Sequence, residues 1–200
     1  MTNRKFFNIK TMAKVSILAV IAFILMEFDF PIPFIAPSFY QLDFSEVAVL
    51  VGGFAMGPAA AVAIEAIKVL LSCLFFGSGT AYIGELANFV MGCAFVLPAT
   101  MIYSRHKNRR NALIGMIVGT VSLMVIGAVT NYFVMIPAYS FFFNLPLETI
   151  VSMGAAIIPA IDSAFMLVLL CTTPFNLIKG VLVSALVFIL YKHISPLLPR

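Results

Sequence analysis

Charged residues are scarce in this chain of 200 residues: only 10% are Asp, Glu, Lys or Arg, and 62% are apolar. Soluble domains carry about 25% charged residues. No long stretch reaches ordinary polarity, so we expect a single transmembrane domain over residues 1–200 and no separate soluble domain. The first apolar run, Ile17–Met26, is followed by Glu27 and Asp29 without a small-x-small cleavage motif, so no cleavable signal peptide is expected.

The chain also lacks recognisable catalytic machinery. It contains no GxSxG elbow, no paired aspartates suited to two metals and no P-loop, so neither hydrolysis nor its own use of ATP is expected. His106 and His193 stand beside basic residues without the partners of a metal site. Cys73, Cys93 and Cys171 are isolated in apolar segments and indicate no disulfide. We therefore predict a non-enzyme without metal or resident cofactor.

The apolar stretches predict an all-α integral membrane protein with six transmembrane helices. The prolines at 31, 33 and 37 exclude a continuous helix there and leave a long loop between the first two spans. Gly115 and Gly119 form a small-xxx-small pair on the fifth span, typical of close helix contact. The predicted spans are Met12–Phe28, Ser45–Met56, Pro58–Phe76, Thr80–Tyr103, Ala112–Ile136 and Pro174–Tyr191.

Basic residues cluster at alternate span ends, which explains the net charge of +4 without a nucleic-acid partner. With six spans these clusters share one side of the membrane, which the positive-inside rule makes cytoplasmic. Both termini are then cytoplasmic, and the loop before the second span and the segment 137–173 lie outside. The basic residues in these clusters are Arg4, Lys5, Lys10, Lys14, Arg105, Lys107, Arg109, Arg110, Lys192 and Arg200.

The segment Leu147–Cys171 leaves the topology open. It is long enough for a seventh span, which would place the C-terminus outside. Pro159 and Asp162 interrupt it, however, so we favour a membrane-dipping or surface-lying helix that packs over the outer face.

Polar residues inside the spans are few, and such residues mark sites by default because lipid does not accept them. Glu65 and Lys68 have i,i+3 spacing and predict an internal ion pair. Glu85 and Asn88 have the same spacing, so the polar groups of this pair can also be satisfied within their own helix. A helix–helix hydrogen bond and a ligand contact are equally open for this second pair.

Three polar residues converge on the outer half of the last two spans. Asn131 lies on the fifth span, and Asn176 and Lys179 share one face of the sixth in "TPFNLIKG". They predict a cavity with hydrogen-bonding walls; the alternative is contact between helices. Asp162 is the expected partner of Lys179 if the segment before the last span folds back.

The stretch "PSFYQLDFSE" in the long loop offers groups suited to a planar organic ligand. Phe39 and Tyr40 supply stacking surfaces, and Gln41 and Asp43 supply hydrogen bonds. The alternative is an aromatic belt at the membrane interface.

Four stretches together resemble the substrate-binding S components of energy-coupling factor (ECF) vitamin transporters, over nearly the whole chain. The combination of the last two is most similar to the riboflavin-specific members. The stretches are "FPIPFIAPSFYQLDFSEVAVLVGGFAMGP", "EAIKVLL…GELANFVMG", "TNYFVMIPAY" and "PFNLIKG".

The resemblance implies high-affinity binding and uptake of riboflavin, as transported ligand and not as cofactor, in an outward-facing pocket closed by the long loop. It implies a partner T subunit and two cytoplasmic ATPases in a bacterial cell membrane. Asn131, Asn176 and Lys179 match family positions that hydrogen-bond the ligand. The predicted ligand-binding residues are these three together with Phe39, Tyr40, Gln41, Asp43 and Asn88.

Three alternatives remain open on the sequence. The ligand is another vitamin or a flavin precursor; or the chain is a stand-alone ion-coupled transporter with Glu65, Glu85 or Asp162 as coupling carboxylate; or it is a membrane scaffold that binds no small molecule.

Overall fold

The computed structural model describes residues 8–194, and side chains as far as residue 191. Of the predicted basic residues, Arg4, Lys5 and Arg200 lie outside the described residues, as do the side chains of Lys192 and His193. Within the described range the fold is all-helical apart from one short two-stranded ribbon.

The elements follow one another in chain order as α1 (Ile9–Glu27), β1 (Phe30–Pro31), β2 (Gln41–Leu42), α2 (Ser45–Met56), α3 (Pro58–Phe76), α4 (Ile83–Arg105), α5 (Arg109–Thr130), a π-helical turn (Asn131–Met135), α6 (Ile136–Phe142), α7 (Leu147–Ala155), α8 (Ala164–Leu167), a second π-helical turn (Val168–Thr172) and α9 (Thr173–Ile194).

Five helices are long and apolar enough to cross a membrane, and α2, with 12 residues, is a shorter apolar helix. Two of the five are continuous through a π-helical turn. One of these runs from Arg109 to Phe142 over 34 residues, and the other from Ala164 to Tyr191 over 28 residues. At 1.5 Å per residue, each exceeds the roughly 30 Å of a bilayer core. The last helix therefore begins ten residues before the predicted Pro174.

The segment Leu147–Cys171 is not a single helix, so the seventh span is wrong. The helix α7 covers nine residues, about 14 Å, which is too short to cross a bilayer. The chain then turns through residues 156–162, around Pro159, and Ser163 caps α8 by accepting a hydrogen bond from the Met166 backbone N–H. Only the first part of the segment is a separate helix; the rest begins the last long helix.

Small residues set the closest helix contacts, as predicted for Gly115 and Gly119. A Cβ on Gly115 would lie 2.5 Å from the carbonyl oxygen of Ala99, and one on Gly119 would overlap the Phe95 carbonyl oxygen. Helix α5 therefore packs backbone to backbone on α4. At the tight turn between α2 and α3, Gly57 has φ of 98°, which a side chain disfavours, and Pro58 starts α3.

The loop between α1 and α2 folds back over one end of the helices, which we call the loop end. The strands β1 and β2 pair antiparallel across it. Ala36, Tyr40 and Leu42 are buried in a core that includes Ile136 and Phe175 from the two longest helices. The loop is therefore a packed cap, because its apolar side chains find partners on those helices.

Candidate functional site

A cavity of about 280 Å³ lies beneath this loop and reaches between α4, α5 and α9. All of the residues that the sequence predicted for a ligand site line it. They are Phe39, Tyr40, Gln41, Asp43, Asn88, Asn131, Asn176 and Lys179. The structure thus brings them together, while their contact with a ligand stays a prediction.

Lys179 forms an ion pair with the loop, and the prediction that Asp162 is its partner is wrong. Its ammonium lies 2.8 Å from Asp43 Oδ2 and 3.4 Å from Glu46 Oε2. The ammonium has three N–H donors, so at least one remains for another acceptor. The pair holds the loop against α9.

Asp43 is buried just before α2, and its surroundings favour the charged form. Burial raises its pKa, but the ammonium groups of Lys179 and Lys68 and the hydrogen bonds from Lys179 and Ser45 outweigh burial and hold the pKa at about 2. Asp43 Oδ1 accepts hydrogen bonds from both the backbone N–H, at 2.8 Å, and the hydroxyl of Ser45. It is therefore an ionised anchor at neutral pH.

The predicted ion pair between Glu65 and Lys68 is confirmed, with 2.6 Å between Lys68 Nζ and Glu65 Oε1. Lys68 also donates to Ser45 Oγ at 2.9 Å and lies 3.5 Å from Glu46 Oε1. Glu46 therefore stands between buried Lys68 and half-buried Lys179 and joins them into one network. Sequence reasoning missed Glu46, although its position at the start of an apolar helix was a signal.

Tyr40 joins the loop to both π-helical turns. Its hydroxyl donates to Asn131 Oδ1 at 3.1 Å and lies 2.6 Å from Thr172 Oγ1, and Asn131 Nδ2 donates to the Gly127 carbonyl at 2.8 Å. π-helical turns occur frequently at functional sites. Asn131 therefore does make a contact between elements, which was the alternative to a ligand contact that the sequence left open. Thr172 belongs to the same hydrogen-bond network, and the sequence analysis did not identify it.

Asn176 presents an unsatisfied hydrogen-bond donor. The residue is 4% exposed, and among the described residues its Nδ2 has no hydrogen-bond partner. A Cβ at Gly127 would overlap this nitrogen, so the glycine on α5 provides the space that the carboxamide occupies. A buried amide N–H without a partner costs about 1–3 kcal/mol, which a ligand acceptor would recover.

Glu85 and Asn88 do not pair with each other, although their spacing would allow it. Glu85 Oε2 instead accepts hydrogen bonds from Ser78 Oγ at 2.9 Å and Thr80 Oγ1 at 2.7 Å in the turn before α4. Within the described part of the chain, Asn88 Oδ1 is buried without a partner. Asn88 therefore offers an acceptor in the same cavity as the donor of Asn176.

Aromatic rings form one wall of the cavity. The ring centroids of Phe39 and Tyr40 lie 4.7 Å apart, and those of Tyr40 and Phe175 lie 5.6 Å apart. Tyr40 is only 8% exposed, so it belongs to the cavity wall and not to an interfacial belt. Gln41 is exposed at the edge. The arrangement suits a planar, hydrogen-bonding organic molecule.

Comparison with known proteins identifies the family. The family model described as "ECF transporter, substrate-specific component" matches residues 10–191. This chain belongs to that family. As an ECF substrate-specific (S) component it is part of a transporter and not an enzyme, and it is a multi-pass protein of the bacterial plasma membrane.

Curated relatives extend over nearly the whole S component. It is 33% identical over 196 residues to the riboflavin transporter RibU of Staphylococcus aureus (strain TCH60), covering 96% of this chain and 93% of the relative. It is 29% identical over 190 residues to the riboflavin transporter FmnP of Bacillus subtilis (strain 168), covering 94% of each. A solved structure of the S component of a bacterial ECF transporter matches with a TM-score of 0.73 and 31% identity, over 96% of this chain and 98% of that one.

Proposed function

We propose that this S component binds riboflavin in the cavity beneath the loop and mediates its uptake. The observation that carries the proposal is the cavity itself, which combines an aromatic wall with unsatisfied amide groups of Asn88 and Asn176. The relatives named riboflavin transporters support the same ligand. We infer that the flavin is cargo and not a resident cofactor.

The groups in the cavity match the needs of a flavin ring. Phe39 and Tyr40 cover the ring, and the free amide N–H of Asn176 donates to a carbonyl oxygen or ring nitrogen. A remaining N–H of Lys179 donates to a second acceptor, and Asn88 Oδ1 accepts from a ring N–H or a hydroxyl. The volume of about 280 Å³ is near the lower end of ligand pockets, which suits one small molecule with the loop closed.

The proposed topology has six spans with both termini in the cytoplasm. The five long helices supply five of the spans, and the short helix α2, second in chain order, supplies the other. Lys10 and Lys14 at the start of α1, and Arg105 to Arg110 between α4 and α5, then lie on the cytoplasmic side. The loop end faces outward, and the cavity takes its ligand from outside the cell.

Energy for uptake comes from partners. The sequence contains no nucleotide-binding motif, so a T subunit and two cytoplasmic ATPases supply it, as the family implies. The stand-alone ion-coupled alternative is weakened because two of its three proposed coupling carboxylates are engaged. Glu65 is paired with Lys68, and Glu85 accepts two hydroxyl hydrogen bonds.

Titration of the purified protein in detergent tests the ligand. We expect one-to-one quenching of riboflavin fluorescence, because the aromatic wall stacks on the ring. Asn176→Leu should weaken binding by about tenfold or more through loss of a buried hydrogen bond. Asn111→Leu, on α5 outside the cavity, is the matched control and should bind as the wild type does.

No quenching in a folded, monodisperse sample would refute riboflavin as the ligand. Competition against a panel of other vitamins would then identify the ligand. Equal affinity of the Asn176→Leu and wild-type proteins would instead refute the assigned site while leaving the ligand.

A further inference from the structure

Lys68 is a fully buried lysine that does not reach the cavity. Its exposed fraction is 0%, as is that of Glu65, its partner in the 2.6 Å ion pair. Within the described part of the chain, neither residue lines the cavity. A buried ion pair is seldom more stabilising than well-packed apolar residues, because the cost of desolvation offsets the attraction. Stability alone therefore does not account for this lysine, and its remaining contacts indicate a second role.

The first route from Lys68 to the cavity is a chain of hydrogen bonds. Lys68 Nζ donates to Ser45 Oγ at 2.9 Å, and the Ser45 hydroxyl donates to Asp43 Oδ1. An ammonium is only a donor and an ionised carboxylate only an acceptor, so the single hydroxyl hydrogen of Ser45 has to point toward Asp43. Asp43 Oδ2 in turn accepts from Lys179 at 2.8 Å. Lys68 thereby fixes the carboxylate that is the nearer acceptor of Lys179.

The second route passes through the Glu46 carboxylate, whose two oxygens face different lysines. Oε1 lies 3.5 Å from Lys68 Nζ, and Oε2 lies 3.4 Å from Lys179 Nζ. Because a carboxylate is planar, the attraction at one oxygen also sets the direction of the other. Lys68 therefore acts on both carboxylates that neighbour the Lys179 ammonium.

The Lys179 ammonium needs such a framework because its side chain is flexible. A lysine carries a point charge with three rotatable donors on a four-carbon stem, and has no preferred direction of its own. Two anions at fixed positions engage two of the N–H groups, and the tetrahedral geometry of the nitrogen then sets the direction of the third. That third N–H is the one that the proposed function assigns to the ligand.

The place of Lys68 is itself set by groups outside the cavity lining. Glu65 lies one turn earlier on α3 and makes the shortest of the described polar contacts of Lys68. A Cβ on Gly92 would overlap the Glu65 carboxylate, so α4 carries a glycine where this carboxylate lies against it. The position of Lys68 therefore depends on the packing of α3 against α4 and not on the presence of a ligand.

We propose that Lys68 is a positioning residue for ligand binding, which holds in place the two carboxylates that orient the Lys179 ammonium. This inference rests on the proposed function, because it takes Lys179 as a donor to riboflavin. Lys68 does not touch the ligand and acts on it only through the carboxylates of Asp43 and Glu46.

The test is a thermodynamic cycle of riboflavin dissociation constants, measured by fluorescence quenching on the purified full chain. One arm is the double variant Glu65→Gln with Lys68→Met, since Lys68→Met alone would leave a buried carboxylate without its cation. The other arm is Asp43→Asn with Lys179→Met, and the fourth protein combines both arms. Each arm removes one carboxylate and one ammonium, so all four proteins have the same formal charge.

The matched control for loss of a buried polar group is Thr100→Val. Thr100 is fully buried on α4, and its hydroxyl donates to the Val96 carbonyl of its own helix at 2.7 Å. It lies outside the cavity lining. Thr100→Val should therefore bind riboflavin as the wild type does, and thermal unfolding checks that each variant is folded.

We expect the Glu65→Gln, Lys68→Met protein to fold and to bind riboflavin about tenfold more weakly, because the Lys179 N–H is no longer aimed at its acceptor. In the Asp43→Asn, Lys179→Met background the same two substitutions should change the dissociation constant by less than about twofold. No ammonium is then left to orient, so the effects of the two arms should not add. A purely structural role predicts instead that affinity is kept wherever folding is kept.

Wild-type affinity in the Glu65→Gln, Lys68→Met protein would overturn the inference, because the carboxylates would then orient Lys179 unaided. Failure of that protein to fold would overturn it too, since Lys68 would be required for the fold itself. So would an equal tenfold loss in both backgrounds, which would reflect a general change in the cavity. Wild-type affinity of the Asp43→Asn, Lys179→Met protein would overturn the inference and leave the ligand standing. Failure of riboflavin to bind the wild type would overturn the proposed function and this inference together.

Discussion

Replacement of Lys179 by methionine tests the ion pair that holds the loop to the helices. The substitution keeps an unbranched side chain, one atom shorter, and removes its charge, which leaves Asp43 and Glu46 without their nearer cation. At 2.8 Å and an effective dielectric of 20, the attraction between Lys179 and Asp43 is about 6 kcal/mol before desolvation is subtracted. Removal of one partner from such a buried pair costs about 3–5 kcal/mol net.

The double variant Asp43→Asn with Lys179→Met separates this pair from other roles of the lysine. Without the carboxylate, the apolar side chain no longer leaves an unpaired charge, so we expect the double variant to recover about 2 kcal/mol or more. Lys14→Met, at an exposed position of α1, is the matched control and should have little effect.

Thermal unfolding in detergent measures these changes. The chain has no tryptophan, so far-ultraviolet circular dichroism or a thiol-reactive dye reports unfolding. The buried Cys171 becomes reactive only when the helices open. We expect Lys179→Met to lower the transition temperature by roughly 6–20 °C. A Lys179→Met protein as stable as the wild type, or a double variant no more stable than the single, would refute the ion-pair reasoning.

Three further predictions follow from the same end of the molecule. Gly127→Ala should weaken riboflavin binding about tenfold or more in fluorescence titrations, because the new Cβ takes the space of the Asn176 amide. Gly79→Ala is the control, because a Cβ at Gly79 would lie in open space, and equal effects of the two substitutions would contradict the prediction. Tyr40→Phe keeps the ring but removes the hydroxyl, so hydrogen exchange of the loop amides should become faster, and unchanged exchange would show that the hydroxyl does not hold the loop. Because the pKa of Asp43 is lowered to about 2, its contribution of about 2 kcal/mol should be complete above pH 4 and lost as the pH falls toward 2. An Asp43→Asn protein should lack that part of the pH dependence of thermal unfolding, and an identical profile would contradict the assignment.

The sequence sufficed for the all-helical membrane fold and for eight of the residues that line the cavity. Lipid penalises every polar group that has no partner, so Asn131, Asn176 and Lys179 in apolar segments had to face the interior. The prolines excluded a continuous helix in the loop. Phe39 and Tyr40 of that loop line the cavity. These inferences depend on local composition and spacing, which a chain displays directly.

The tertiary structure alone decided how those residues are paired. Asp43 lies 136 residues before Lys179, and no local pattern links two groups at that separation. The π-helical turns that bring Asn131 and Thr172 to the Tyr40 hydroxyl were also absent from the sequence prediction, because their hydrogen-bond register depends on neighbouring helices as well as on propensity. Partner choice in a buried polar network depends on the rotation and depth of each helix. Those are settled only when all the helices pack together.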